Sequence, residues 1–189
     1  MPLVDKHELM RCLSYDMLPY IEERYGVMNT GWTVIDIEFT GYGDEPRLRY
    51  NGNNIIIHLA QNIRDNVCFA CFQLAHEAVH LLSPTGTPHT RYLEEGLAAV
   101  YSVRFMDEHF PGHNIVISND PADPYLRAVY LVDPFLNAYP DAIKKLRAIE
   151  PCFNAMTPQT FHDAQVACSQ ELIDKLLAPF KSASAPPWG

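Results

Sequence analysis

The sequence is poor in basic residues and contains no long apolar run. Only 14 lysines and arginines stand against 23 aspartates and glutamates, which gives a formal net charge of -9. Without a global positive field, binding to a nucleic-acid backbone is disfavoured. No stretch reaches the roughly 18 apolar residues that a membrane-spanning helix needs, so we expect no membrane partner.

The first residues, MPLVDKHELMRCL, also lack the uninterrupted apolar core of a secretory signal peptide. They mix acids and bases instead. We therefore expect a cytoplasmic protein, although export by a route without a cleaved signal would leave no trace in the sequence. The length of 189 residues favours one domain over residues 1–180, followed by a disordered tail over residues 181–189. Nothing in the sequence indicates an oligomeric state.

Cysteine is scarce as well, and its five positions do not form a disulfide framework. The pair Cys68 and Cys71 has the Cys-x-x-Cys spacing of redox and zinc sites, but no second pair accompanies it. Both residues lie in an apolar run, where cysteine behaves as a small hydrophobe. We expect most of the cysteines to be buried thiols.

The N-terminal third has the pattern of one helix followed by a small sheet. Apolar residues at helical spacing predict a helix over residues 5–25. The alternating segment 32–39 and the segments 48–50 and 54–59 predict strands, with Asn51-Gly52 as the signal for a hairpin turn. We expect these strands to form a small, mostly antiparallel sheet.

The remainder of the chain is predicted to be mainly helical. Residues 67–82 read VCFACFQLAHEAVHLL and are apolar on nearly every side, which is typical of a helix in the interior. A second helix should run from Arg91 to about Phe110, with Thr87-Pro88 before it as a start signal. Further helices are expected over 125–139, over 141–149, and over 160–180 after Thr157-Pro158.

The interior helix contains the segment His76-Glu77-x-x-His80. Residues four apart lie on one face of a helix, so the two imidazoles can be directed at the same point. Glu77 projects about 100° away and can reach a water on a metal without ligating it. Two imidazoles suit zinc, and a catalytic zinc site commonly has three protein ligands with water in the fourth position.

The next helix offers two candidates for the third ligand, Glu94 and Glu95. Adjacent helical residues point about 100° apart, which led us to expect that only one of them faces the first helix. The small residues Ala98, Ala99 and Ser102 fall on the Glu95 side, where two helices can approach closely. Glu95 is therefore the predicted ligand.

Over residues 71–102 the chain resembles the gluzincin metallopeptidases, most of all the compact peptidase-MA-like type. That family places its third ligand in a W-L-x-E-G-x-A segment, and here Tyr92-Leu93-Glu94-Glu95-Gly96-Leu97-Ala98 is similar, with tyrosine for tryptophan. The resemblance implies a zincin-like α+β fold, in which a small sheet packs on the active-site helix and a mainly helical C-terminal part closes the cleft. It also implies one zinc ion on His76, His80 and Glu95, with Glu77 as general base in the hydrolysis of a peptide or protein substrate.

Two further comparisons with the family concern single residues. The segment Tyr125-Leu126-Arg127-Ala128 is similar to the Y-x-K-G segment whose tyrosine steadies the oxyanion in the aminopeptidase branch. The alternative for Tyr125 is a helix-start tyrosine with its hydroxyl in solvent. Thermolysin-like members carry an aspartate four residues after the third ligand, but Ala99 stands there in this chain. The residue that orients a zinc histidine must come from elsewhere.

Several alternatives remain open from sequence alone. The helix could be a metal-free core, or the protein could bind zinc without catalysis and act on a partner as a regulatory protein. The strand 54–59, which contains His58, could be an edge that pairs with an extended substrate, or an ordinary sheet strand. His89 could contact substrate or lie solvated in its loop.

Overall fold

The computed structural model describes residues 3–41, 46–86 and 89–180. Its first element is one helical segment with an irregular middle, in which α1 (Lys6–Cys12) passes through a π-helical turn (Leu13–Met17) into α2 (Leu18–Tyr25). The N-terminal helix predicted over residues 5–25 is therefore confirmed, apart from this turn. The side chain of Asp5 caps its start, and Gly26 follows its end at φ +99°.

A mixed three-stranded sheet follows, formed by β1 (Thr33–Thr40), β2 (Arg47–Asn51) and β3 (Asn54–Ala60). The order in the sheet is β1-β3-β2. β2 pairs with β3 antiparallel through a turn at Gly52, whereas β1 pairs with β3 in parallel. The expectation of a mostly antiparallel sheet was wrong for the β1–β3 pair. β3 occupies the centre because it carries apolar residues on both faces, and such a strand is best covered on both sides.

The central position of β3 decides between the two alternatives for residues 54–59: they form an ordinary inner strand of the sheet and not a substrate-binding edge. Both neighbours of β3 are strands of the same sheet, so its backbone groups are already paired. Among the described residues, β2 is an edge strand of the sheet and lies beside α3. His58 of β3 is buried, and its Nε2 lies 3.4 Å from Oε2 of Glu38 on β1.

Two long helices form the centre of the molecule. α3 (Val67–His80) packs against β2, β3 and α4 (Tyr92–His109), and α5 (Pro124–Ala138) packs on the other side of α4. α4 begins directly after Arg91. The predicted start signal Thr87-Pro88 lies outside the described residues.

The C-terminal part is helical, as predicted, but with one more break. α6 (Ala142–Ile149) is followed by α7 (Pro158–Asp163) and α8 (Gln170–Leu177). Thr157 caps α7, as the sequence predicted. The expected single helix over 160–180 is two helices, because Gln165 adopts a left-handed conformation (φ 56°) and Ser169 caps a new start. The tail 181–189 lies outside the described residues.

The cysteines are less buried than expected. All five are free thiols, and only Cys71 is fully buried; Cys12, Cys68, Cys152 and Cys168 are partly exposed. The expectation of mostly buried thiols was therefore wrong, because the apolar run that contains Cys68 begins at the surface end of α3.

Candidate metal centre

α3 holds its two histidines in a fixed register against the sheet. The side chain of Asn66 accepts a hydrogen bond from the backbone N–H of Phe69 and caps the helix. One turn before His76, Oε1 of Gln73 accepts a hydrogen bond from the backbone N–H of Ala60 at 3.0 Å. Because Gln73 is fully buried, this bond ties α3 to the end of β3 at the point where the polar face of the helix begins.

α4 brings a pair of glutamates against that face. Glu94 and Glu95 lie in its first turn, where carboxylates are also favoured by the helix dipole. Thr90, just before the helix, donates its hydroxyl hydrogen to Oε1 of Glu95 at 2.7 Å. This bond holds one carboxylate oxygen in place and leaves the other directed at the histidines.

The three predicted ligands meet at one point. Nε2 of His76 lies 3.3 Å from Nε2 of His80 and 3.3 Å from Oε2 of Glu95. Nε2 of His80 lies 3.8 Å from Oε1 of Glu95. Zinc holds nitrogen and oxygen ligands at about 2.0–2.2 Å in tetrahedral geometry, which places neighbouring ligand atoms about 3.3 Å apart. The two separations at Nε2 of His76 match this value, and all three side chains are close enough together to share one ion.

The donor set itself also fits a cation. Oε2 of Glu95 is buried, and Nε2 of His76 lies 3.3 Å from it. A buried carboxylate needs a compensating charge or donor, and a metal ion between it and the two imidazoles would supply one. Among the described residues, His76, His80 and Glu95 are the only group of such side chains close enough together to share an ion.

Glu94 supplies the orienting partner that sequence reasoning could not name. Its Oε1 lies 2.8 Å from Nδ1 of His80, the ring nitrogen that faces away from the candidate ion. Both glutamates thus face α3, contrary to the expectation that only one would. Adjacent side chains leave a helix about 100° apart, but a glutamate side chain is long. Glu94 and Glu95 can therefore approach opposite sides of the His80 imidazole. Its position beside Glu95 and its near-complete burial are the signals that identify it.

The electrostatics of the group differ between the two histidines. Burial favours the neutral form of His80, but the carboxylates of Glu95 and Glu94 outweigh burial and raise the pKa of His80 to about 10. Burial lowers the pKa of His76, with Glu95 opposing only in part. Burial would raise the pKa of Glu95, yet the charge of His80 and the hydrogen bonds from His76 and Thr90 bring it down to about 2. Without a metal, the group is a buried ion pair between His80 and Glu95.

Glu77 and Tyr125 stand beside the ligands on the wall of a cleft of about 380 Å³. Glu77 is buried and follows His76 on α3. Tyr125 is only 7% exposed, and its ring centroid lies 6.1 Å from that of His76. The structure therefore places Tyr125 at the site rather than in solvent, while its role stays a prediction. His89 is exposed and does not line the cleft.

The rest of the cleft wall comes from β2, the segment after α3, and the end of the described chain. β2 contributes Leu48 and Tyr50, and Phe180 closes the opposite side against the ring of Tyr125 at 4.9 Å between centroids. The backbone N–H of Phe180 donates to the carbonyl of Thr90 at 2.9 Å. The wall is thus partly aromatic, and the segment that carries Phe180 is tied to the residue that holds Glu95.

In the part of the chain that the structure describes, no helix combines the length and the apolar character needed to cross a membrane. Comparisons with protein-family models, with curated proteins and with solved structures find no match to this chain. The resemblance to the gluzincins accordingly continues to rest on the HEAVH and YLEEGLA segments alone.

Proposed function

We propose that this protein is a zinc-dependent metallopeptidase with a zincin-like arrangement of its site. The observation that carries the proposal is the convergence of His76, His80 and Glu95 beside Glu77 at the wall of a cleft. Three protein ligands leave one position for water, whereas a structural zinc site is closed by a fourth protein ligand. That difference favours catalysis over a purely structural zinc.

Zinc bound at this site would polarise a water molecule and a substrate carbonyl and lower the pKa of the water towards neutrality. Glu77 would take a proton from the attacking water on its carboxylate and pass it to the leaving amine. Its burial at the cleft wall keeps bulk water from competing for that proton. The phenol of Tyr125 would donate a hydrogen bond to the oxygen that gains negative charge.

β2 is the element best placed to hold a peptide. It is an edge strand among the described residues, it pairs antiparallel with β3, and Leu48 and Tyr50 line the cleft. An extended peptide added to its free edge would make main-chain hydrogen bonds and bring one peptide bond beside Glu77. This geometry favours a peptide or protein substrate.

The test is a comparison of the parent with the Glu77→Gln variant. Both should bind one zinc per chain in metal analysis, because Glu77 is not a ligand. Only the parent should cleave a mixed peptide library, and the loss in Glu77→Gln should exceed 100-fold, since general base catalysis contributes about 10²–10⁴-fold. Glu108→Gln, an exposed change on α4, is the matched control and should behave as the parent.

Three outcomes are distinct. A parent without bound zinc would overturn the proposal and favour a metal-free core. A parent that binds zinc and cleaves nothing would favour the alternative, a non-catalytic zinc-binding protein that acts on a partner. Equal cleavage by the parent and Glu77→Gln would remove Glu77 from the reaction.

A further inference from the structure

A second cleft, of about 560 Å³, lies between α1 and the first half of α3, away from the candidate metal centre. Its walls are largely apolar and include Leu9, Val67 and Phe110. Two thiols, Cys12 from α1 and Cys71 from α3, also line it. The cleft therefore brings together two cysteines that are 59 positions apart in the sequence.

The turn that follows Cys12 packs on α3, so the two thiols line one cleft from neighbouring elements. The thiol of Cys71 hydrogen-bonds to the sulfur of Cys12, and this bond lowers the pKa of Cys12 in spite of burial and of the nearby carboxylate of Asp16. The same bond, together with burial, raises the pKa of Cys71. Cys12 is therefore the more acidic of the two thiols, and Cys71 is its hydrogen-bond donor.

The backbone around Cys12 is irregular. Cys12 is the last residue of α1 and immediately precedes the π-helical turn Leu13–Met17, which packs on α3. Such turns occur mostly as single insertions in α-helices and are frequent at functional sites. Cys12 is also partly exposed in the cleft, so a small solute can reach it, whereas Cys71 is buried behind it.

We propose that Cys12 and Cys71 form a redox-active dithiol that hydrogen peroxide converts to a disulfide linking α1 to α3. The thiolate of Cys12 attacks one peroxide oxygen, the O–O bond breaks, and the departing hydroxide takes up a proton to become water. The sulfur of Cys71 then attacks the resulting sulfenic acid. An S–S bond forms, the S–O bond breaks, and hydroxide leaves with the proton of Cys71 as a second water. Two thiols are oxidised by two electrons, and one peroxide is reduced to two waters.

The lining of the cleft selects among oxidants. Its ionisable groups other than the thiols are Asp5, Glu8 and Asp65, and no basic side chain lines it. This lining offers no basic partner to an anionic oxidant such as glutathione disulfide. Hydrogen peroxide is small and neutral, so it needs no such partner.

The experiment treats the reduced, full-length protein with stoichiometric peroxide, blocks the remaining thiols, and maps the cysteines by mass spectrometry. We expect the loss of two of the five thiols and a peptide pair joined between Cys12 and Cys71, lighter by about 2 Da than the two reduced peptides. The thermal midpoint should rise by about 5–10 °C, since the cross-link closes a long loop. Oxidation of a methionine near Cys12, such as Met10 or Met17, adds about 16 Da and is therefore distinguished from the loss of about 2 Da.

Cys12→Ser should abolish both the disulfide and the rise in the thermal midpoint. Cys68→Ser, a change on the same helix as Cys71, should leave both intact. A Cys68–Cys71 disulfide, a disulfide between chains, or Cys12 found as sulfinic acid with Cys71 still a thiol would each overturn the proposal. The parent protein alone decides the outcome even if a variant folds poorly. The readout is independent of zinc and of peptide cleavage, so it stands or falls separately from the proposed function.

Discussion

The candidate ligands carry protons that compete with a metal. In the metal-free protein the pKa of His80 is about 10, so His80 is protonated near neutral pH, whereas Glu95, with a pKa of about 2, is ionised. Burial keeps His76 neutral. A metal ion must therefore displace the charge-carrying proton of His80, whereas Glu95 is already ionised and His76 is neutral.

This difference between the histidines is measurable by NMR in the metal-free protein. The imidazole of His80 should remain charged at about pH 8 and titrate near pH 10. The sign of the linked stability follows: a raised pKa stabilises the fold fully below the ordinary value of about 6.5, and that contribution declines as pH rises to 10. The unfolding free energy should thus fall over this interval by more than in His80→Gln. An imidazole that titrates near 6.5 would contradict the assignment.

Glu94 should tune the metal affinity without ligating. Removing the partner of a metal-bound histidine typically costs 10–100-fold in affinity, and we expect a loss of about that size for Glu94→Ala in competition titrations with a chromophoric chelator. Glu94→Gln keeps an acceptor for Nδ1–H of His80 and should lose less. Glu95→Gln removes a ligand and should lose more than either. Equal affinity in Glu94→Ala and the parent would show that the 2.8 Å contact does not orient His80.

At the scale of single residues, the sequence predicted the three candidate ligands but not Glu94, the hydrogen-bond partner of His80. The pairing of His76 and His80 follows from helical spacing, which is a local property of the chain, and Glu95 is indicated by the small residues on its side and by the family resemblance. Glu94 acts through the length and rotamer of a side chain packed between two helices, and those are set by tertiary contacts. The same reasoning explains why the Cys12–Cys71 contact could not be predicted, because no spacing rule joins α1 to α3.

Among the elements, α4 and α5 pack closely at Gly96, the glycine of the YLEEGLA segment. A Cβ built on Gly96 would lie 2.4 Å from Cγ2 of Val132 and 2.7 Å from the carbonyl oxygen of Ala128. Both distances are far below van der Waals contact. The glycine thus lets α5 pack directly behind the first turn of α4, and α5 carries Tyr125 at its N-terminus.

Gly96→Ala should therefore destabilise the protein even though alanine favours helix by about 1 kcal/mol over glycine. Overpacking of a filled interior costs about 1–3 kcal/mol, and part of the contact here is with backbone that cannot turn aside. We expect a lower denaturation midpoint in urea. Adding Val132→Ala should restore only part of the loss, since the carbonyl of Ala128 remains in the way. A neutral or stabilising Gly96→Ala would show that the two helices can separate without cost.

The elements themselves were largely predictable, whereas their arrangement was not. The pattern of apolar residues identified α3, α4 and the strands, because this signal is local. The order of the sheet depends on which strand gains most from burial on both faces, and that is decided by the whole fold. The break between α7 and α8 depends on one residue, Gln165, in a conformation that its type does not signal.

Across the whole molecule, the N-terminal helix, the end of α3 and the C-terminal helices meet at Arg147. Its buried guanidinium donates to backbone carbonyls in all three regions, namely those of Tyr25, Gly26, Val27, Leu82 and Pro151. Leu82 lies two residues after His80. The bond to Leu82 therefore holds the end of α3 from outside the candidate site. At the site itself, α3 packs against α4.

Zinc should add a second connection of this kind, between α3 and α4, and its effect should appear in global stability. An ion that binds only the folded state at 100 times its dissociation constant adds about 2.7 kcal/mol, which for a chain of this size raises the thermal midpoint by about 5–10 °C. Chelation should reverse the rise. His80→Ala should show neither the rise nor the reversal, whereas Glu77→Gln should show both, because only the first of these residues is a proposed ligand. A midpoint that zinc and chelator leave unchanged in the parent would mean that the buried His80–Glu95 ion pair is the working state of the site.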